Sequence, residues 1–224
     1  MGREVLKPQK PAESQRLWVL LGIGLAFFIP LALFAKLSEE VLERKPIGLD
    51  VTIMQALHAM SSPTLNQFVL TVTHFGDTLV IGLVTFLIAF MLWLKRRRRD
   101  AVQLLVTAGG AAVMNYLLKI SFQRARPSLW QALVHESSYS FPSGHSMASS
   151  ALAFALIAIT WPTRWRWWAI AAGVVLTVVV GMGRMYLGVH YPSDVIGAWC
   201  ISFAWALIVH IVMHADMRRA HQVW

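Results

Sequence analysis

Apolar and polar positions alternate along this chain in long blocks. Six uncharged apolar runs occupy residues 17–35, 78–94, 101–118, 146–161, 167–183 and 195–213. At 1.5 Å per residue a helix needs about 20 residues to cross a hydrocarbon core of about 30 Å, so each run predicts a transmembrane helix. The shorter ones require a thin bilayer, or flanking Trp and Arg that reach the interface. The first run follows a basic leader (Arg3, Lys7, Lys10, Arg16) and resembles a secretory signal, but it is long for one. No A-x-A cleavage site follows it, so it predicts a retained span. The start Met1-Gly2-Arg3-Glu4-Val5-Leu6 lacks the Ser or Thr of a myristoylation signal.

The segment 51–76 is a seventh uncharged stretch with a different pattern. Ile53, Ala56, Leu57 and Met60 fall at helical spacing, as do Leu65, Phe68, Val69 and Val72. Gln55, His58, Asn66 and Gln67 interrupt them, and Ser61-Ser62-Pro63 breaks the segment in two. Proline suits the first position of a helix. Two short amphipathic helices lying at a membrane surface are therefore expected over about 50–76, and not a further span. The predicted fold class is all-α: an integral-membrane bundle of six transmembrane helices with a short amphipathic outer-face helical segment. The chain, 1–224, reads as a single membrane-embedded domain, because six spans and their loops use nearly all of its length.

Composition agrees with this reading. Of the 224 residues 57% are hydrophobic and only 14% charged, against roughly 25% charged in ordinary soluble domains. The net charge of +9 would suit nucleic acid as well as a membrane. Its distribution decides. With the N-terminus inside, 13 of the 20 basic residues but only 4 of the 11 acidic ones fall on the cytoplasmic side. The whole excess sits on one face, as the positive-inside rule requires. Both termini are then cytoplasmic, Lys95–Arg99 is a stop-transfer cluster, and no nucleic-acid partner is implied. Trp161, Trp165, Trp167 and Trp168 read as an interfacial aromatic belt. Cys200, the single cysteine, excludes an intramolecular disulfide.

Three polar clusters remain, each where an apolar run meets an outer loop. They are Lys119-Ile-Ser-Phe-Gln-Arg124-Ala-Arg126-Pro127, Phe141-Pro142-Ser143-Gly144-His145, and Gly183-Arg184 through His190-Tyr-Pro192-Ser-Asp194. In a bundle all three meet at one end. Lys119, Arg126 and Arg184 bring three cations together with few local acids. Arginine's planar fork matches phosphate oxygens, and lysine adds a point charge. Ser143 and Gly144 precede a helix start, where free N–H groups and the helix dipole favour an anion and Gly144 admits close approach. Together these residues predict a phosphate site.

His190 and Asp194 are four residues apart across Pro192. Asp194 is placed to fix one ring nitrogen of His190 and leave the other free to attack. His145, on another helix, is placed to protonate a leaving oxygen. The catalytic candidates are thus His190, His145 and Asp194. The phosphate-binding candidates are Lys119, Arg126, Ser143, Gly144 and Arg184. No metal and no cofactor are called for, since the cations themselves stabilise transition-state charge. The plainer alternatives are interfacial snorkelling for Lys119 and Arg126, a structural role for His210 and His214, and solvated loop positions for His58, His74 and His135. A substrate contact is the other reading for His135 and Glu136, and Arg124 is left outside the core set.

The three clusters read K-x6-R-P (119–127), P-S-G-H (142–145) and R-x5-H-x3-D (184–194). This resembles the three-part signature of the type 2 phosphatidic acid phosphatase superfamily, which includes lipid phosphate phosphatases, bacterial acid phosphatases and vanadium haloperoxidases. The resemblance covers 119–194. It implies that His190 forms a phosphohistidine, that Asp194 orients it, and that His145 is the general acid. It implies that Lys119, Arg126, Ser143, Gly144 and Arg184 hold the phosphoryl oxygens. The chain departs from the family at Gly183, where Ser is common, which puts one hydroxyl contact in doubt.

The resemblance further implies a lipid phosphate or pyrophosphate substrate in the bilayer. It also implies a multi-pass protein of the bacterial inner membrane with its site on the outer side. Undecaprenyl pyrophosphate is the first expectation, phosphatidylglycerophosphate or phosphatidic acid the second. Transfer to an acceptor such as lipid A is the alternative reaction. A lipid-binding or transport protein is the alternative outside enzymes. A channel is disfavoured, because no ionisable residue lies mid-run. Nothing in the residues speaks to oligomeric state.

Overall fold

The long apolar blocks fold into helices, and their ends fall where the polar punctuation sits. The computed structural model describes residues 13–44 and 47–220. Along these residues the elements are α1 (Glu13–Leu42), α2 (Gly48–Ala59), α3 (Pro63–His74), α4 (Thr78–Leu94), α5 (Arg98–Phe122), α6 (Gly144–Thr160), α7 (Arg166–Tyr186) and α8 (Pro192–Ala220). No strand occurs among the described residues. Arg3, Lys7 and Lys10 of the basic leader lie outside them.

Four segments are long and apolar enough to cross a membrane: Leu20–Leu42, Arg98–Phe122, Arg166–Tyr186 and Pro192–His214. A fifth arises if α3 and α4, which meet at a bend of 41°, count together. Among the described residues the regular structure is all helical, and these helices have the length and composition of an integral membrane protein. Helix α6 is apolar but has only 17 residues, about 25 Å of helix. It begins at the polar cluster of residues 141–145.

The predicted break at 61–63 is present. Ser62 caps α3 by accepting a hydrogen bond from the Leu65 N–H at 3.2 Å, with Pro63 in the first turn. The facing of α2 differs from its apolar stripe. The side turned to the bundle carries Asp50, Met54 and Leu57, while Ile53 and Met60 are exposed. Asp50 turns in because its partners, Arg124 and the Ser193 N–H, lie on that side. On α3, Leu65 and Val69 do face inward, joining Leu57 and Leu70 around Tyr186, Leu187 and Val189.

Helix α6 is the hub, packed against α5, α7 and α8. Its buried face is built of small residues, Ser146, Ser149, Ser150, Ala151, Ala153 and Ala155, which let the neighbouring backbones approach closely. Gly183 shows the same device between α3 and α7. A Cβ there would meet Thr73 Cγ2 at 2.1 Å. The serine common at this position in the family would collide with α3, so the missing hydroxyl is exchanged for contact between two helices. Phe141 closes the end of the bundle, fully buried against Phe34, Phe122 and Gly197.

Candidate active site

Four helix ends and one loop converge. Lys119 sits in the last turn of α5, which stops at Gln123 in a left-handed conformation. The loop 123–143 then carries Arg124, Arg126, Glu136, Ser138 and Ser140 back across the bundle. Ser143 caps α6, with Gly144 and His145 its first residues. Arg184 lies in the last turn of α7, and Pro192 and Asp194 lie in the first turn of α8. His190 falls in the link between α7 and α8, following Gly188 with its positive φ of 79°.

His190 is 1% exposed and Asp194 is fully buried. Asp194 Oδ2 lies 3.4 Å from His190 Nδ1. On the other side of the ring, Arg126 Nη1 is 3.2 Å from Nε2 and donates to the Val189 carbonyl at 2.8 Å. A guanidinium can only donate, so Nε2 is the unprotonated nitrogen and Nδ1 carries the proton toward Asp194. Burial pushes His190 down to about 4, although its bond to Asp194 acts the other way. The ring is therefore a neutral base with its lone pair turned toward Arg126.

The cations gather, and they hold an acid that their sequence neighbourhood did not suggest. Glu136 pairs with Arg184 through Nη2 and with Arg126 at 3.6 Å. Lys119 Nζ donates to Ser138 Oγ at 2.8 Å, and Arg126 donates to the same oxygen at 3.2 Å. Glu136 is thus a carboxylate seated among the guanidinium groups, where an oxyanion of a ligand would be favoured. Burial alone would raise it, but Arg184 and Arg126 hold it below the usual carboxylate range. Burial lowers Arg126, with Arg184 adding to the effect and Glu136 opposing it. Arg184 is 4% exposed, and its Nε has no hydrogen-bond partner among the described residues. A buried donor left unpaired costs roughly 1–3 kcal/mol, and an anion at the site would relieve it.

His145 Nε2 lies 3.7 Å from Asp77 Oδ2, the N-cap of α4. It lies within electrostatic range of Arg184, Glu136 and Lys119. Ser143 accepts from the Ser146 N–H at 3.4 Å. A Cβ on Gly144 would meet Asn115 Oδ1 at 3.2 Å, so the glycine lets α6 start close beside α5. All eight residues singled out from the sequence therefore lie at one end of the bundle.

Some residues that matter here carried weak sequence signals. Arg124, left outside the core set, donates to Asp194 Oδ1 at 2.5 Å and to Asp50 Oδ2 at 2.9 Å. Burial would lower it, but Asp194 and Asp50 raise it above its ordinary value. Ser140 Oγ donates to Asp194 Oδ2 at 2.5 Å. Asp50 is a single acid at the head of an apolar segment, which was the available clue. His58 is not merely solvated, since its ring stacks on Trp130 with centroids 4.1 Å apart. His210 Nδ1 meets Gln103 Nε2 at 3.3 Å, and the His210 carbonyl lies 2.9 Å from His214 Nδ1, which fits the structural reading of that pair.

A phosphatidylglycerophosphatase B of Bacillus subtilis (strain 168) is 32% identical over 158 residues, covering 68% of this chain and 77% of that protein. An undecaprenyl-diphosphatase of Sulfolobus acidocaldarius is 28% identical over 212 residues, covering 92% of this chain and 96% of that one. The crystal structure of a transmembrane PAP2 type phosphatidylglycerolphosphate phosphatase from Bacillus subtilis is similar, with a TM-score of 0.71 and 27% identity. That likeness covers 80% of this chain and 93% of that one. The family model described as PAP2 superfamily matches residues 100–218, the stretch that carries all three polar clusters. On these matches and on that site, the chain belongs to the PAP2 superfamily.

Proposed function

We propose that this protein is an integral-membrane phosphatase that hydrolyses a lipid phosphate or pyrophosphate through a covalent histidine intermediate. The observation that carries the reading is His190. It is a fully enclosed, neutral imidazole, backed by a buried carboxylate and turned toward a cluster of three cations.

In the first step His190 Nε2 attacks phosphorus, a P–N bond forms, and the P–O bond to the leaving group breaks. Asp194 holds the Nδ1 proton and balances the positive charge that develops on the ring. His145, charged by a proton taken up as the anionic substrate enters beside it, gives that proton to the leaving oxygen. Lys119, Arg126, Arg184 and the first N–H groups of α6 hold the phosphoryl oxygens, with Glu136 moving aside for the substrate. In the second step His145 takes a proton from water, the water oxygen attacks phosphorus, the P–N bond breaks and phosphate leaves.

The topology proposed with it is six spans in one domain covering 1–224. The short α4 and α6 count as spans, both termini are cytoplasmic, and the site faces outward across a bacterial inner membrane. The positive-inside asymmetry supports this. An apolar groove of about 250 Å³ between α2, α3 and α7 leads from Gly183, next to Arg184, past Val72, Phe68 and Met60. It suits the lipid tail of a substrate whose phosphate lies at Arg184. We assign undecaprenyl pyrophosphate as the substrate, on the outward site and on a relative that matches nearly the whole chain. Phosphatidylglycerophosphate is the second reading, favoured by the higher identity over a shorter stretch.

The test is phosphate release by detergent-purified protein. Undecaprenyl pyrophosphate, phosphatidylglycerophosphate and phosphatidic acid are offered side by side with a chelator present. Release lost in His190→Ala and inhibited by vanadate is expected. No release from any of them, restored by adding lipid A as acceptor, would replace hydrolysis by phosphotransfer. A strict requirement for magnesium would overturn the mechanism.

A further inference from the structure

His190 is not the nearest neighbour of Asp194. Asp194 Oδ2 accepts from Ser140 Oγ at 2.5 Å and from the Tyr191 N–H at 2.8 Å, while Oδ1 accepts from Arg124 Nη1 at 2.5 Å. Arg124 reaches onward to Asp50 Oδ2 at 2.9 Å and to Ser193 Oγ at 2.7 Å. Asp50 in turn accepts from the Ser193 N–H at 2.8 Å and from its hydroxyl at 2.5 Å. The Arg124 guanidinium lies over the Tyr191 ring, 4.2 Å from its centroid. Asp50 is 2% exposed. One cation is therefore shared between two buried carboxylates, one from α2 and one from α8.

Sharing changes what Asp194 can do. Paired with Arg124 alone, Asp194 would spend its negative charge on the guanidinium and become a weaker acceptor for the His190 proton. A second carboxylate divides the guanidinium and leaves the cluster one negative charge in excess while His190 is neutral. That excess is matched when Nε2 bonds to phosphorus and the ring becomes cationic. The other charges facing the ring are Arg126 at 3.2 Å and, farther off, Arg184. Both oppose a cationic ring, which makes the excess negative charge on the Asp194 side the balancing element. The fixed hydrogen bonds also hold the carboxylate plane, as a second carboxylate does not do by charge alone.

We infer that Asp50 and Arg124 are positioning residues for the reaction: through Arg124, Asp50 keeps Asp194 oriented and negative enough to retain the His190 proton during attack. The inference rests on the lipid-phosphatase reading. It places a functional residue on α2, outside the span that the family model matches.

The experiment is steady-state phosphate release by the full-length protein in detergent, with undecaprenyl pyrophosphate and phosphatidylglycerophosphate as probes and vanadate as inhibitor. Asp50→Asn is expected to lower kcat about 10- to 100-fold, with KM and the vanadate inhibition constant changed less than about threefold. Asp50→Asn combined with Arg124→Gln restores the single excess negative charge and is expected to regain part of the lost kcat. Ser193→Ala keeps both charges, removes the shared hydroxyl, and is expected to lower kcat only several-fold. A folded Asp50→Asn protein with unaltered kcat would overturn the inference. So would equal losses in kcat and vanadate binding, which mark a collapsed anion site. If Asp50→Asn does not fold, Ser193→Ala decides in the same way, and an unchanged kcat there overturns the inference. No release by the unaltered protein would instead sink the phosphatase reading, and this inference with it.

Discussion

The two histidines of the site are held very differently. His190 is 1% exposed, and its carboxylate is buried under further donors from Ser140, Arg124 and the Tyr191 N–H. The side chain of His145 is 15% exposed, and its carboxylate Asp77 is 37% exposed at 3.7 Å. Asp77 also spends one oxygen on capping α4, through the Leu79 N–H at 2.8 Å. The contrast follows from the work proposed for each ring. An attacking nitrogen must be aimed, and misplacement by about 1 Å costs roughly 100-fold. A proton donor must be reloaded in every cycle and needs access to water. Rigidity is concentrated where aim matters, and looseness where exchange matters.

The comparison can be broken at its strong end first. His190→Ala should lower phosphate release by at least about 10⁴-fold, because no other side chain at the cations combines an imidazole nitrogen with a buried carboxylate behind it. Retained turnover would move the nucleophile elsewhere. His145→Ala should cost about 10²- to 10³-fold with phosphatidylglycerophosphate, whose leaving group is an alcohol, and far less with p-nitrophenyl phosphate, whose leaving oxygen needs no proton. An equal loss with both substrates would remove His145 from the acid role.

The enclosure of His190 also has a pH signature. Below about 6.5 the unfolded chain takes up a proton on this ring that the folded protein refuses until about 4. The folded state therefore loses stability as pH falls through that window, by up to about 3 kcal/mol. Melting curves of the protein and of His190→Gln, recorded from pH 7 to pH 4, should diverge, the variant falling less steeply. Parallel curves would mean that the ring is not held neutral by burial. The smallest effect belongs to the loose end. Asp77→Asn should lower kcat less than about tenfold, since a pair 3.7 Å apart with a partly exposed carboxylate contributes about 0–1 kcal/mol. A loss as large as that of His145→Ala would show the two histidines to be equally dependent on their carboxylates.

Much of the site was legible in the sequence because its parts are short, polar and set at the ends of apolar blocks. Lys119, Arg126, Ser143, Gly144, His145, Arg184, His190 and Asp194 could each be read from residue type and spacing. Glu136 could not be placed, because a loop residue carries no period that says where it will rest. Asp50 and Arg124 were harder still. Their roles depend on pairing across 74 residues, and a lone acid before an apolar stretch looks like any helix start. On α2 the apolar spacing announced a helix but not which side would meet the bundle, since Leu57 of the stripe turns in while Ile53 and Met60 stay exposed.

The Asp50 cluster also sets a constraint on biosynthesis. Its carboxylate is made early, while Arg124 follows 74 residues later and Ser193 143 residues later. Until then α2 holds an acid with neither partner beside a bilayer that is already receiving α1. On the proposed topology, a short helix lying along the headgroup layer meets that need, since water reaches Asp50 there until the last helix inserts. Because its partners come from the loop after α5 and from the first turn of α8, the burial of Asp50 is complete only once the last helix has packed beside α2.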